Sequence, residues 1–266
     1  MLPKNLPLSV ALLPLLLSVG PIPLSAQNSA SSHPPTPEAP NLPAIKPNPF
    51  LVAHEAFLKI AKEGKAELLF LGDSITAGWA GHPEIWNKAF SAYKPANFGI
   101  GGDRTQHVLW RIQNGELDSF APKVLVLMIG TNNSGVDSAE GIAGGIQTIV
   151  ATIREKSPTT KILILGVFPR GETPSPTREK LATVNASIAK LDNRKSIFYL
   201  DIGRHFLNPD GSISKEIMPD FLHLSSKGYQ IWADAISPTL ADLFKPANPA
   251  PNPAPPGAAP SAPAVP

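Results

Sequence analysis

A serine stands behind a glycine and an aspartate in Gly72-Asp73-Ser74-Ile75-Thr76, and the apolar run 68–71 leads directly into it. A strand leaving such a run has to turn abruptly. Glycine permits the tight backbone, and the turn delivers the serine hydroxyl at the strand exit, where a nucleophile would stand. Far along the chain, Asp220-Phe221-Leu222-His223 puts a carboxylate three residues ahead of an imidazole, so one turn of chain can join them. A carboxylate on one ring nitrogen holds the tautomer whose other nitrogen takes a proton from a serine hydroxyl. Two loops offer hydrogen-bond donors. Gly99-Ile100-Gly101-Gly102-Asp103 has little side-chain bulk and lets a backbone N–H approach a substrate oxygen, and Gly130-Thr131-Asn132-Asn133 supplies a side-chain amide. Each sign is weak alone, because such a serine also caps helices, asparagine closes turns, and an Asp-x-x-His pair decorates surfaces or binds metal. The weight lies in their order and placement.

Those residues need a scaffold that delivers all of them to one edge. The runs 68–71, 124–129, 162–165 and 197–200, with a weaker one at 96–98, are short, apolar and uninterrupted, as expected of strands covered on both faces. Helical spacing fills the gaps at 84–90, 105–112, 139–156, 178–191 and 226–244. In the third of these, Ile142, Ile146, Ile149 and Ile153 form a single stripe. A further helix begins at Phe50 and stops at Gly64, with His54 on its apolar face as a packing residue. This alternation predicts an α/β fold, a three-layer sandwich with a five-stranded parallel sheet and helices on both sides. In such sheets the site lies beyond the carboxyl ends of the strands. The serine and the two donor loops do follow apolar runs, while Asp220 and His223 stand just before the last helix.

The four blocks, in this order, resemble the GDSL or SGNH hydrolase family, whose sheet is flavodoxin-like, over roughly 68–240. The resemblance implies that Ser74 is the nucleophile, Gly102 the backbone oxyanion donor beside the N–H of Ser74, Asn132 the side-chain oxyanion donor, and Asp220 with His223 the rest of a catalytic triad. Within the family the chain is particularly similar to the catalytic subunits of platelet-activating factor acetylhydrolase. That similarity runs through Asn97-Phe98-Gly99-Ile100-Gly101-Gly102-Asp103, then Thr105-Gln106-His107-Val108-Leu109-Trp110-Arg111, Asn114-Gly115-Glu116-Leu117, Pro169-Arg170-Gly171 and Leu222-His223-Leu224-Ser225. It implies a serine esterase that works through an acyl-enzyme and needs no metal or organic cofactor. Related catalytic subunits pair, which raises a homodimer as one reading.

Composition narrows the partners. With 23 Lys plus Arg against 21 Asp plus Glu, no broad field exists to hold nucleic acid. The start of the chain has Lys4, an apolar stretch at 6–19 and small residues before Gln27, the order of a cleavable export signal over 1–26. The stretch is too short for stable membrane insertion and is broken by Pro7 and Pro14. Cysteine is absent, so neither disulfides nor thiolate chemistry are available. Many of the 31 prolines fall in 27–49 and 246–266, which read as disordered flanks of a hydrolase domain at 50–245. A secreted or periplasmic enzyme is the expectation.

Ile75, Thr131 and Leu222 adjoin the candidate triad and oxyanion residues and would leave little room for a long acyl chain if they faced the carbonyl carbon; alternatively they simply pack. Export and a small acyl group together suggest acetyl esters of carbohydrates, with a small-molecule or polysaccharide substrate. An extracellular lipid or phospholipid acylhydrolase is the alternative, and a silent carbohydrate-binding module the third reading. Among other polar residues, Asp73 is expected to fix the serine turn, and Asp103 and Arg104 to tie down the glycine loop. His82, His107 and His205 fall outside the motif set. Trp79 and Trp86 are candidates for a groove or for the core.

Overall fold

The computed structural model describes residues 39–46 and 50–246. The expected export signal at 1–26, most of the Pro-rich segment that follows it, and the tail from 247 onward lie outside the described residues.

Five parallel strands form the sheet: β1 (Leu68–Gly72), β2 (Pro95–Gly99), β3 (Val124–Met128), β4 (Lys161–Leu165) and β5 (Ile197–Leu200), in the spatial order β2-β1-β3-β4-β5. The α/β architecture is the one expected. Side chains alternate across a strand, so each apolar run supplies two faces at once. Leu69, Leu71, Leu125, Leu127, Ile162 and Ile164 point to one side, where α4 (Thr105–Arg111), α5 (Ala139–Lys156) and α6 (Pro176–Ile188) pack with Val108, Ile146 and Leu181. Leu68, Phe70, Val124, Val126, Leu163 and Leu165 point to the other, against Phe90 of α3 (Pro83–Phe90) and Trp232 and Ile236 of α7 (Ser226–Phe244). Helix α1 (Phe50–Glu63) adds Ala61 to the first cluster.

Helix ends follow their capping chemistry. Ser138, Ser175 and Ser225 sit at the N-caps of α5, α6 and α7, and their hydroxyls accept the N–H groups of Gly141, Arg178 and Gly228. The isoleucine stripe of α5 is wholly buried, each member worth roughly 1.5–3 kcal/mol of transfer free energy. Helix α6 begins two residues earlier than the apolar spacing indicates, because Pro176 is well suited to a first helical position.

Register decides where the site can form. Gly72 of β1 is level with Gly99 of β2 and with Met128 of β3, so the three chains leave the sheet at one height. The strand order reverses beside β1, the position at which open α/β sheets present a crevice.

Two expectations are corrected. The run at 197–200 was expected to be covered on both faces, but β5 is an edge strand and all four residues are half-buried. Residues 39–46, expected to belong to a disordered flank, are docked. Thr105 Oγ1 donates to the Pro40 carbonyl at 2.7 Å, the Ala44 N–H donates to the Gln106 carbonyl at 3.1 Å, and Lys46 Nζ donates to the Gly101 carbonyl at 2.8 Å. These partners satisfy backbone groups that would otherwise need water, which offsets the ordering entropy the composition alone argues for.

Candidate active site

Helix α2 (Ser74–Ala77) starts immediately at the β1 exit, and only glycine fits at position 72. A Cβ there would lie 2.3 Å from the Met128 carbonyl oxygen and 2.3 Å from Thr76 Oγ1. Asp73 caps this short helix, its Oδ1 accepting the Ile75 N–H at 2.9 Å. Tyr229 of α7 donates its hydroxyl to the Ile75 carbonyl at 2.6 Å from the other side. Ser74 is thereby held half-buried at the rim.

Ser74 Oγ is 2.9 Å from His223 Nε2, and His223 Nδ1 is 2.7 Å from Asp220 Oδ2. Asp220 Oδ1 accepts the backbone N–H groups of His223 at 2.7 Å and Leu222 at 3.1 Å. Partial burial would raise the Asp220 pKa, but the bonds from His223 and the two backbone donors hold it below the usual carboxylate range. Phe221 takes a positive φ of 59° to close this turn. Two elements 149 residues apart thus bring serine, imidazole and carboxylate into one hydrogen-bonded line. Such a line can move a proton from hydroxyl to ring.

The donor loops meet beside it. Gly102 has φ +72°, a conformation that favours glycine, and is exposed. Asn132 is half-buried, and its amide donates one hydrogen to the Asp103 carbonyl at 2.8 Å. An asparagine amide carries two hydrogens, so one remains for a ligand. Asn133 Oδ1 accepts the Thr105 N–H at 3.0 Å, a second stitch between the same loops.

Behind the glycine loop lies a charged cluster that residue spacing does not reveal. Arg111 donates through Nε to Asp103 Oδ2 at 3.0 Å and through Nη1 to both Glu116 oxygens, at 2.9 and 2.8 Å. Its Nη2 reaches the carbonyls of Gly72 at 3.3 Å and Phe98 at 3.1 Å, the ends of β1 and β2. Lys46 Nζ closes on Asp103 Oδ1 at 2.5 Å. Burial raises the pKa of Asp103 against the lowering pull of Arg111 and Lys46. Burial alone would lower that of Arg111, yet Glu116 and Asp103 together keep it above the ordinary arginine value. The signals available in the sequence were an arginine set close to the apolar Val108, Leu109 and Ile112, and the place of Arg111 and Glu116 in the family-like stretches 105–111 and 114–117.

Asp73 is also titratable here. Burial, and then the neighbouring Asp103, push its carboxyl up to about 7, and its Oδ2 has no partner among the described residues. Arg170 lies on the far side of the Asn132 loop, its guanidinium donating to the Thr131 carbonyl at 3.1 Å.

The three expected acyl-pocket residues behave differently. Ile75 and Thr131 are each 1% exposed, Ile75 locked in the apolar cluster under α7 and Thr131 tied to Arg170, so neither has surface to offer a substrate. This corrects the pocket assignment for both. Leu222 is half-buried and packs against the same cluster as Ile75. Arg104 does not tie the glycine loop as expected. Its backbone N–H donates to His107 Nδ1 at the start of α4, and Arg111 does the tying. His54 is buried as expected but is more than packing, meeting Glu116 Oε1 at 3.0 Å and the Asn114 carbonyl at 3.1 Å. Trp79 is sealed among Phe70, Phe90 and Trp232, whereas Trp86 is half-buried. A cavity of about 530 Å³ lined by Leu181, Asn185, Tyr199, Asp201 and Leu207, among others, includes neither Ser74 nor His223.

Among the described residues no three His, Asp or Glu side chains gather as a metal set, and no helix is long and apolar enough to cross a membrane. Residues 70–231 match the GDSL-like Lipase/Acylhydrolase family. Platelet-activating factor acetylhydrolase IB subunit alpha1 of Homo sapiens is 40% identical over 212 residues, 76% of this chain and 91% of that protein. Subunit alpha2 of the same name from Rattus norvegicus is 46% identical over 180 residues, 66% of this chain and 76% of that protein. A solved GDSL-like lipase from Bacteroides thetaiotaomicron shares the fold, with a TM-score of 0.61 at 19% identity, covering 74% of this chain and 98% of that one.

Proposed function

The chain belongs to the GDSL-like lipase/acylhydrolase family and is a carboxylic ester hydrolase, and from that premise we propose that it removes an acetyl-sized acyl group from a lipid-type alcohol through a Ser74 acyl-enzyme. The single observation that carries the proposal is the line from Ser74 Oγ through His223 to Asp220, with contacts of 2.9 and 2.7 Å.

The steps follow from the donors and acceptors already described. His223 Nε2 takes the hydroxyl proton as Ser74 attacks the ester carbonyl, and Asp220 stabilises the imidazolium through Nδ1. The developing oxyanion is held by the N–H groups of Ser74 and Gly102 and by the free amide hydrogen of Asn132. Preorganised donors of this kind are each worth about 2.7–4 kcal/mol. His223 then returns the proton to the departing alcohol. Water, activated by the same ring, releases the carboxylic acid and restores the hydroxyl.

The lipid reading is preferred over the carbohydrate reading because relatives 40–46% identical to this chain are named for platelet-activating factor. The preference for a small acyl group rests on that same name and on Leu222 at the rim, since Ile75 and Thr131 are sealed away. Export through residues 1–26 and pairing into a homodimer remain part of the proposal on sequence grounds alone.

The test measures release of acetate from platelet-activating factor and from acetylated xylan, and turnover of nitrophenyl acetate and nitrophenyl octanoate, by wild type and Ser74→Ala. The expected pattern is acetate faster than octanoate, the phospholipid faster than xylan, and a loss on the order of 10⁶-fold in kcat for Ser74→Ala. Faster octanoate turnover overturns the acyl preference, faster xylan turnover overturns the alcohol, and activity that survives in Ser74→Ala overturns the nucleophile.

A further inference from the structure

Lys46 reaches the glycine loop from a part of the chain that lies outside the matched family region of 70–231. The segment 39–46 crosses α4 and α5 at their smallest residues. A Cβ on Gly145 would lie 2.4 Å from the Pro40 carbonyl oxygen, and Thr105 Oγ1 donates to that same oxygen at 2.7 Å. The segment ends with Lys46 Nζ 2.8 Å from the Gly101 carbonyl and 2.5 Å from Asp103 Oδ1, the residues on either side of Gly102. We propose that this strap is part of the active site and that Lys46 is a positioning residue, setting the direction of the Gly102 N–H toward the oxyanion.

The need for such a device follows from the loop itself. Three glycines in five residues leave Ile100 and Asp103 as the only side chains that can anchor the loop, and Gly102 between Gly101 and Asp103 is exposed at φ +72°. An oxyanion donor contributes only when its N–H is already aimed, and a displacement of about 1 Å costs on the order of 100-fold in rate. Lys46 grips the loop on both sides of the donor. Its charge also has a place there, because Arg111 brings one positive charge against the carboxylates of Asp103 and Glu116, and Lys46 brings the second. The Asp103 side chain is 0% exposed, and that of Lys46 only 21%. Without the ammonium, a buried carboxylate beside the donor loses one of its two cations and is free to draw in water or shift. The effect also spreads to the second donor, since the Asp103 carbonyl is what Asn132 holds.

The inference rests on the ester-hydrolase reading for its kinetic consequence but not for its structural one, and the experiment uses both. In the full chain, Lys46→Met, Lys46→Arg and wild type are compared by nitrophenyl acetate kinetics, thermal unfolding and hydrogen exchange of the peptide covering 99–104. The expected result for Lys46→Met is a fall of about tenfold in kcat with KM changed less than about twofold, and faster exchange confined to that peptide. Lys46→Arg, which keeps charge and reach, is expected to recover to within about threefold of wild type. Unchanged exchange at 99–104 in Lys46→Met overturns the proposal whether or not the enzyme turns over the ester. So does a loss that appears in KM alone, or one accompanied by faster exchange throughout the chain. A wild type that fails to hydrolyse any ester while Lys46→Met still loosens 99–104 removes the ester reading and leaves the strap contact standing.

Discussion

Asp220 and His223 occupy a loop in which their side chains are 56% and 46% exposed, whereas Asp103 and Arg111, behind the glycine loop, expose none of theirs. Both pairs join a carboxylate to a cation or a potential one, yet they are held by different physics. In the wet half the acid is fixed by its nearest neighbours: the 220–223 turn supplies two backbone donors and the ring, all within three residues. Solvent screens the charges, so direction matters more than net charge. In the dry half the parts come from β1, β2, α4, the turn after it and the strap. There an unbalanced charge is costly, so the set has to close. The half proposed to move protons stays near water, and the half that only has to stay still is sealed.

The comparison can be broken from either side. Substituting Asp220→Asn keeps the turn while removing the charge, and a fall of about 10⁴-fold in kcat is expected, with little change in the unfolding midpoint. A loss under tenfold would show that the turn alone orients the ring. Next in size is Arg111→Met in the sealed half, which leaves two buried carboxylates without their shared partner. Urea unfolding should show it destabilised by about 3–5 kcal/mol, and an unchanged midpoint would remove the closed-set argument. The third test lies at Asp73, between the halves. Its folded pKa of about 7 stands above the ordinary 3.8, so the folded state keeps a proton that the unfolded chain gives up. Stability should therefore decline as pH rises from about 4 to 7 and level off above that. Asp73→Asn, which preserves the acceptor for the Ile75 N–H, should flatten that decline; identical pH–stability curves for the two proteins would remove Asp73 as its source.

The same contrast explains what could be read before any coordinates. The strands were legible because burial on both faces writes short uninterrupted apolar runs, the helices because one buried face writes helical spacing, and β5 was misjudged only in its place at the edge. The candidate triad could be read as a candidate because Asp220 and His223 are local and Ser74 follows directly on a strand. Arg111 and Lys46 were not, since their meaning depends on Gly72, Phe98, Gly101 and Asp103, which fold to them from elsewhere. Ile75 and Thr131 adjoin candidate site residues in sequence, but adjacency along the chain says nothing of which way a side chain faces once α2 and the 131–133 turn have formed.

Ser74 and His223 touch across a separation of 149 positions, and the histidine arrives just ahead of α7. The proposed nucleophile emerges early in synthesis, and all five strands are made before its proposed base follows. Contacts of such length form late, because the intervening chain has to be organised before its ends can meet. Recovered turnover after dilution from denaturant would then report the last docking events rather than the first collapse, and a ribosome-bound fragment ending before Asp220 would be folded in part yet inert.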